Sequence, residues 1–298
     1  MVFAVLFALV GCGAARTGGG ATSRTGSLEA LWRAPGEDVA IVAGTSDYAP
    51  GLNRVSFLVV RHDGSAVFRP RARVLVAKGL KERPFLRTTA TLEPVGVPGA
   101  SKQGTADVSQ VYVAHVRLPG PGRYTLLAVP VGGSPIQAIG TLQVGRHAVA
   151  PEIGATAYPS RTPTLASTHG RLGLLTTRTP PDRALLRYSV ADSLRAHVPF
   201  VVAFATPKFC ESRTCGPVVD VVDAVRKRLA GNGVRFIHVE IYRRNDVSLG
   251  PNRWVKEWHL PSEPFVFLVG RDGRIAGRFE GSVSVAELEA AVRHDLLS

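Results

Sequence analysis

Apolar residues follow two different rhythms along this chain, and the change comes near residue 197. Between residues 36 and 146 short apolar runs are separated by turn residues: Val39–Val42, Arg54–Val60, Ala72–Ala77, Gln110–Val116, Arg123–Val129 and Ile139–Val144. Such runs, rich in Val, Leu, Ile and Tyr, predict strands. Asp63-Gly64 predicts a tight turn, and Pro119-Gly120-Pro121-Gly122 a turn that launches the strand at Arg123. No useful stretch here repeats with the period of a helix, so two packed β-sheets are the economical way to bury these faces.

From His197 the pattern alternates between strand and helix. His197–Phe204 is a hydrophobic strand, and a helix near 217–230 places Val218, Val221, Val222, Val225 and Leu229 on one face. Gly231-Asn232-Gly233 stops that helix. Val234–Tyr242 is the next strand, followed by a short helix near 252–259 that carries Trp254, Trp258 and His259. Pro264–Val269 and Arg274–Phe279 flank Arg271-Asp272-Gly273 as a hairpin, and Ser284 with Glu287 forms a capping-box signature for a last helix.

Residues 1–10 are apolar and uncharged, and Gly11-Cys12-Gly13 follows. The run is too short for a membrane-spanning helix, which needs roughly 20 residues, but it fits the core of a secretory signal. Leu9-Val10-Gly11-Cys12 resembles the bacterial lipobox, although no Lys or Arg precedes the apolar run. The resemblance implies cleavage before Cys12, lipidation of Cys12, and residence at the extracytoplasmic face of a bacterial cell membrane. The chain then divides into a signal peptide (1–11), a Gly-, Ser- and Arg-rich flexible tether (12–35), an all-β domain (36–146), a Pro-, Thr- and Arg-rich connector (147–189) and an α/β domain (190–298).

The formal charge of +13 comes mostly from Arg scattered through strands and loops, with no basic helix or aromatic platform. That distribution excludes nucleic acid as a partner. No His, Asp or Glu cluster has metal-ligand spacing, so no resident metal or cofactor is expected. Asp47–Gly51 reads as a turn, with an exposed recognition loop as the alternative.

The candidate chemistry lies in Phe209-Cys210-Glu211-Ser212-Arg213-Thr214-Cys215-Gly216-Pro217, which holds the only cysteines outside the leader. Positions five apart on a regular helix point about 140° apart, so 211–214 must form a loop before Cys215 near a helix start. Pro217 suits a first helical turn. A disulfide is feasible there and would persist outside the cytoplasm. Lys208, Arg213 and the helix terminus favour a thiolate, while Glu211 opposes them.

The order strand, cysteine segment, helix, strand, helix, hairpin, helix resembles the thioredoxin superfamily over about 190–298. The resemblance implies that Pro264 follows a cis bond from Glu263 and sits beside the thiols. It also implies that Cys210 is the attacking and Cys215 the resolving cysteine in exchange with extracytoplasmic protein thiols or disulfides. Two departures stand out: Phe209 replaces the family's tryptophan, and Ala203 occupies the position of its buried acid. Pro121-Gly122-Arg123-Tyr124 entering a late strand resembles small immunoglobulin-like domains of extracellular bacterial proteins, so the all-β domain is expected to be an immunoglobulin-like sandwich.

Two other readings of the cysteine pair stay open. In one the pair is a structural disulfide clip in a noncatalytic binding or structural lipoprotein. In the other two thiolates and an imidazole hold copper(I), as in exported copper-chaperone relatives of thioredoxin. There the family's His aligns with Ser262, leaving His259 as the substitute if its loop folds inward, and His238 facing the sheet or its packing helix. Glu240 and Glu263 are candidate charges near the thiols, and Phe209, Trp258 and His259 candidate shapers of the site. Trp254, Trp258 and Phe265 alternatively serve as core. No nucleophile-elbow sequence supports a hydrolase.

Overall fold

The computed structural model describes residues 26–37, 39–98, 108–209 and 215–298, with Cys215 and Gly216 as backbone only. The expected signal peptide, Cys12 and Cys210 lie outside the described residues. The first domain contains α1 (Leu28–Trp32), β1 (Val39–Ala43), β2 (Gly51–Arg61), β3 (Arg71–Ala77), β4 (Leu86–Pro94), β5 (Gln110–Leu118), β6 (Gly122–Pro130) and β7 (Ala138–Val144). The all-β expectation holds, but the strands do not stay in two separate sheets. They form a closed barrel in the order β1-β2-β5-β4-β3-β6-β7. The correction has a simple cause: β3 pairs with both β4 and β6, and Ala40 of β1 meets Ile139 of β7, so no strand is left as a bare edge.

Alternation builds the barrel core, with Val55, Phe57 and Val59 of β2 facing Tyr112, Ala114 and Val116 of β5. Phe57 and Tyr112 stack at 5.5 Å between centroids, and the Tyr112 hydroxyl accepts the Arg69 N–H at 2.9 Å. β4 was not expected, because only Ala90 among its nine residues is buried and it lacks an apolar rhythm. The stretch read as tether also needs shortening. Ser27 caps α1 by accepting the Ala30 N–H at 3.2 Å, and Leu28, Leu31 and Trp32 pack on Leu75, Ala77 and Leu127. Their i, i+3, i+4 spacing puts them on one helix face.

The second domain contains α2 (Val190–Arg195), β8 (Phe200–Phe204), α3 (Cys215–Arg228), β9 (Arg235–Val239), α4 (Arg253–Glu257), β10 (Phe265–Val269), β11 (Ile275–Glu280) and α5 (Val285–Leu296). Its sheet runs β11-β10-β8-β9, with β8 and β9 parallel and β10 antiparallel to β8 and β11. β8 and β10 are buried along their whole length, which explains their unbroken apolar sequence. Val201, Ala203, Val266 and Leu268 meet α3 and α5 through Val218, Val222, Leu288 and Val292. On the opposite face Phe200, Phe204, Phe265 and Phe267 meet Trp258 of the α4 region and Ala157 of the connector. Each such side chain contributes about 1.5–3 kcal/mol when fully buried. Ser284 accepts the Glu287 N–H at 3.1 Å, as its capping signature predicts.

The connector lies across this sheet. Ile275 accepts the Gly154 N–H at 2.8 Å and donates to Ala155 at 2.9 Å, which covers part of the β11 edge. Leu185 enters the core beside Phe236 of β9. The two domains are joined by buried charge pairs. Arg54 of β2 clasps Glu287 of α5 at 2.6 and 2.9 Å. Asp47 meets Arg278 of β11 at 2.7 Å, and its side chain is only 3% exposed. The exposed-loop alternative for Asp47–Gly51 is therefore corrected at Asp47, which accepts the Val149 and Ala150 N–H groups as well.

Candidate functional site

Parallel pairing of Phe204 with Val239 places the carboxyl ends of β8 and β9 side by side. Because β10 is antiparallel to β8, pairing of Phe265 with Phe204 brings the start of β10 to that same end. The Glu263–Pro264 bond immediately before β10 is cis, and Pro264 is buried. The chain leaving β8 passes Phe209, and α3 begins at Cys215. Three segments therefore meet at one end of the sheet: the approach to Cys210, the Glu263–Pro264 bend, and the residues following β9. The thiols themselves lie outside the described side chains.

Glu240, one residue beyond β9, is 5% exposed. One of its carboxylate oxygens accepts the Thr177 N–H at 2.5 Å and the Thr177 hydroxyl at 2.8 Å. The same hydroxyl accepts the Lys208 N–H at 3.1 Å. The second carboxylate oxygen is buried and has no hydrogen-bond partner among the described residues. Arg178 extends the strap by donating to Asp220 of α3 at 2.8 Å. Thr177 and Arg178 thus tie the connector to β9, to the approach to Cys210 and to the helix that begins at Cys215. Sequence reasoning named Glu240 but missed both connector residues, since nothing local distinguishes Thr177 from the other threonines of a Thr-rich segment.

The remaining site candidates separate clearly. Phe209 lies edge-to-face on Tyr242 at 6.2 Å, and the Lys208 ammonium sits 5.3 Å from its ring centroid. Glu263 is half-buried beside the cis bond. Trp258 is a core residue, fully buried against Phe204 at 5.1 Å and Phe267 at 4.9 Å, with its N–H given to Ser160 at 2.9 Å. That contact set assigns it to packing, the alternative weighed for it from sequence. His259 is exposed, and its ring meets Tyr158 at 6.0 Å.

Ser262 donates its hydroxyl to Glu280 at 2.8 Å. His238 is buried opposite Ala203, with one ring nitrogen 3.0 Å from the Ala205 carbonyl and the other 3.4 Å from the Thr176 hydroxyl. Both nitrogens are thereby engaged, which removes His238 as a copper ligand in this arrangement. Among the described residues no group of three or more His, Cys, Asp or Glu is placed to hold a metal.

The barrel reaches this end of the sheet as well. Gly96 bridges Ser284 at the cap of α5, and a Cβ on Gly96 would lie 3.2 Å from the Pro217 side chain in the first turn of α3. Its φ of +80° adds a second reason for glycine. A cavity of about 330 Å3 separates Val42, Leu58 and Val111 of the barrel from Ser262, Glu263 and Gly281. The Glu263–Pro264 bend therefore faces a wall supplied by the other domain.

No protein-family model and no curated protein matches the chain. Among solved structures, a thiol:disulfide interchange protein of the thioredoxin family from Chlorobium tepidum TLS is 16% identical, with a TM-score of 0.27, covering 35% of this chain and 82% of its own. The Lin-41 filamin domain is 15% identical, with a TM-score of 0.18, covering 38% of this chain and 96% of its own. At these scores neither likeness carries a structural or functional argument.

Proposed function

We propose that this chain is a membrane-tethered, extracytoplasmic thioredoxin-like protein that exchanges disulfides through Cys210 and Cys215. The observation that carries the reading is the meeting, at one end of the β11-β10-β8-β9 sheet, of the cis Glu263–Pro264 bond, the approach to Cys210 and the helix starting at Cys215. A Cys210 thiolate attacks a partner disulfide, forming a mixed disulfide and releasing one partner thiolate. The Cys215 thiolate then attacks the Cys210 sulfur and releases the second, so the pair is oxidised as the partner gains two electrons. The reverse sequence oxidises a partner dithiol. Lipidation at Cys12 supplies the tether, and the partners are protein thiols or disulfides outside the cytoplasm.

For the barrel we propose an immunoglobulin-like strand order. β1-β2-β5-β4 and β3-β6-β7 follow the strand groupings of such domains, and the Tyr124 hydroxyl donates to the Gly120 carbonyl at 2.8 Å, in the manner of their tyrosine corner. Its role is to bound the exchange site and hold it off the membrane.

The test is trapping. In a chain carrying Cys12→Ser and Cys215→Ala, oxidised glutathione should form a stable adduct at Cys210, visible by mass. The wild-type pair should release that adduct as its own disulfide closes. Failure of Cys210 to form any adduct in the folded chain rejects exchange and leaves the pair as a structural clip. Stoichiometric copper(I) binding that either cysteine substitution abolishes would instead favour metal delivery.

A further inference from the structure

Three apolar side chains line up on the outer face of the barrel, where strand positions are ordinarily polar. Val39 and Ile41 face the barrel core, so Val42 of β1 points outward. Leu58 lies between the inward-facing Phe57 and Val59, and Val111 precedes the inward-facing Tyr112. Register sets the three abreast: Val42 pairs with Leu58, and Phe57 with Tyr112. With strands about 4.8 Å apart, the row is roughly 10 Å long. None of the three belongs to a hydrophobic core of either domain, and Val42 is 50% exposed.

Across the cavity of about 330 Å3 stand Ser262 and Glu263, the two residues before Pro264, with Gly281 and Ser282 after β11. Beside it the domains touch. Ser46 and Asp47 each donate a backbone N–H to Glu280 at 2.9 Å, and the Gly44 carbonyl leaves no room for a Cβ on Gly281. Val42 and Leu58 lie outside that contact and line the cavity instead. Among the described lining residues the only ionisable groups are the Glu263 and Glu280 carboxylates, and Glu280 is engaged by Ser46, Asp47 and Ser262.

We propose that this cavity receives a large aliphatic or aromatic side chain of the partner protein, within about three residues of the cysteine whose disulfide Cys210 attacks. The inference rests on the exchange reading, which brings the partner chain past the Glu263–Pro264 bend. An extended chain advances about 3.3 Å per residue, so about three positions cover the length of the row. Burial against Val42, Leu58 and Val111 favours leucine over alanine. An acidic side chain meets Glu263 and Glu280 instead and is disfavoured. No cationic side chain lines the cavity among the described residues, so it offers no partner to a phosphate or carboxylate ligand. The barrel thereby selects partners as well as bounding the site.

Peptide exchange rates test the assignment. The probes are alanine-glycine peptides whose single cysteine is joined by a disulfide to 2-nitro-5-thiobenzoate, with a leucine one, two or three positions to either side. In the chain carrying Cys12→Ser and Cys215→Ala, the Cys210 thiolate attacks the peptide sulfur, forms a mixed disulfide and releases the coloured thiobenzoate anion. We expect one leucine register to react about tenfold faster than the all-alanine peptide, and aspartate in that register to react more slowly than alanine. In the folded Val42→Thr, Leu58→Gln double variant the leucine advantage should fall below about twofold. The glutathione adduct of Cys210 reports exchange separately. If that adduct forms while no register favours leucine, or while the double variant keeps the full advantage, the pocket is overturned and the exchange reading stands. If neither glutathione nor any peptide reacts, both are overturned.

Discussion

The Thr177 hydroxyl donates to Glu240 at 2.8 Å while accepting the Lys208 N–H at 3.1 Å, so one connector side chain links a buried carboxylate to the approach to Cys210. Ala203 occupies the position at which the thioredoxin resemblance implies an acid, and Glu240, one residue beyond β9, is a buried carboxylate tied to that approach; on the exchange reading it is the buried acid nearest the thiols. A carboxylate near a thiol disfavours the thiolate. Glu240→Gln should therefore lower the pKa of a neighbouring cysteine thiol, read from thiolate absorbance against pH. Unchanged titration of both thiols would remove Glu240 from the exchange site.

Thr177→Val keeps the shape of that side chain but takes the hydroxyl donor away from the buried Glu240 carboxylate, and the acceptor away from the Lys208 N–H. We expect a loss of about 1–3 kcal/mol in denaturant unfolding, the cost of an unsatisfied polar group. Protease cleavage after Lys208 should accelerate in the variant. A change below about 0.5 kcal/mol would show that the strap is not held there.

Arg54 and Glu287 are 9% and 17% exposed and make two hydrogen bonds between the domains. Arg54 also donates to the Ser282 carbonyl at 2.8 Å. Removing Arg54 alone strands a buried carboxylate, so Arg54→Ala should cost about 3–5 kcal/mol. The Arg54→Ala, Glu287→Ala double variant should recover part of that loss, and a double-mutant cycle should return a coupling of about 1–3 kcal/mol. Calorimetry of the single variant should resolve separate domain transitions. A coupling near zero would contradict the clasp.

Asp182 and Asp223 face each other where the connector meets α3, with the Arg226 guanidinium 3.6 Å from one and 2.7 Å from the other. Burial, followed by the neighbouring Asp223 carboxyl, raises the Asp182 pKa. Burial also pushes Asp223 upward, but the neighbouring Asp182 carboxyl and hydrogen bonds from Lys227 and Arg226 prevail and hold it at about 2. Asp223 is depressed below its ordinary value of 3.8, so its contribution is present above about pH 4 and lost as pH falls toward 2. Asp182 has the opposite sign: ionising it opposes folding at neutral pH. Asp182→Asn should raise the melting temperature at pH 7 while preserving the acceptor that caps Ala184. Asp223→Asn should lower it by an amount that shrinks toward pH 2. Parallel pH profiles for the two variants would contradict this division.

The second domain was largely legible because its elements carry their own signals. The continuous apolar runs of β8 and β10 mark strands buried on both faces, the Val218–Leu229 stripe marks α3, and Ser284 caps α5. β4 was not legible because its inward face carries Thr88 between Leu86 and Ala90, only Ala90 is fully buried, and Thr89 and Thr91 are exposed. Barrel closure depends on pairings such as Arg73 with Thr89 and Ala40 with Ile139, which no local pattern encodes. Asp47 looked like a turn residue because its partner Arg278 lies in the other domain. Around the candidate site, the cis Glu263–Pro264 bond and the start of α3 at Cys215 stand where the predicted strands put them, whereas Thr177 enters only through a fold of the connector.

The most direct test is the reduction potential of the Cys210–Cys215 pair, measured on the folded chain in glutathione buffers. An exchanging pair should titrate between about −270 and −120 mV, where thioredoxin-like oxidoreductases operate. A potential below about −300 mV, with the disulfide persisting against glutathione, would mark a structural clip and contradict the exchange reading.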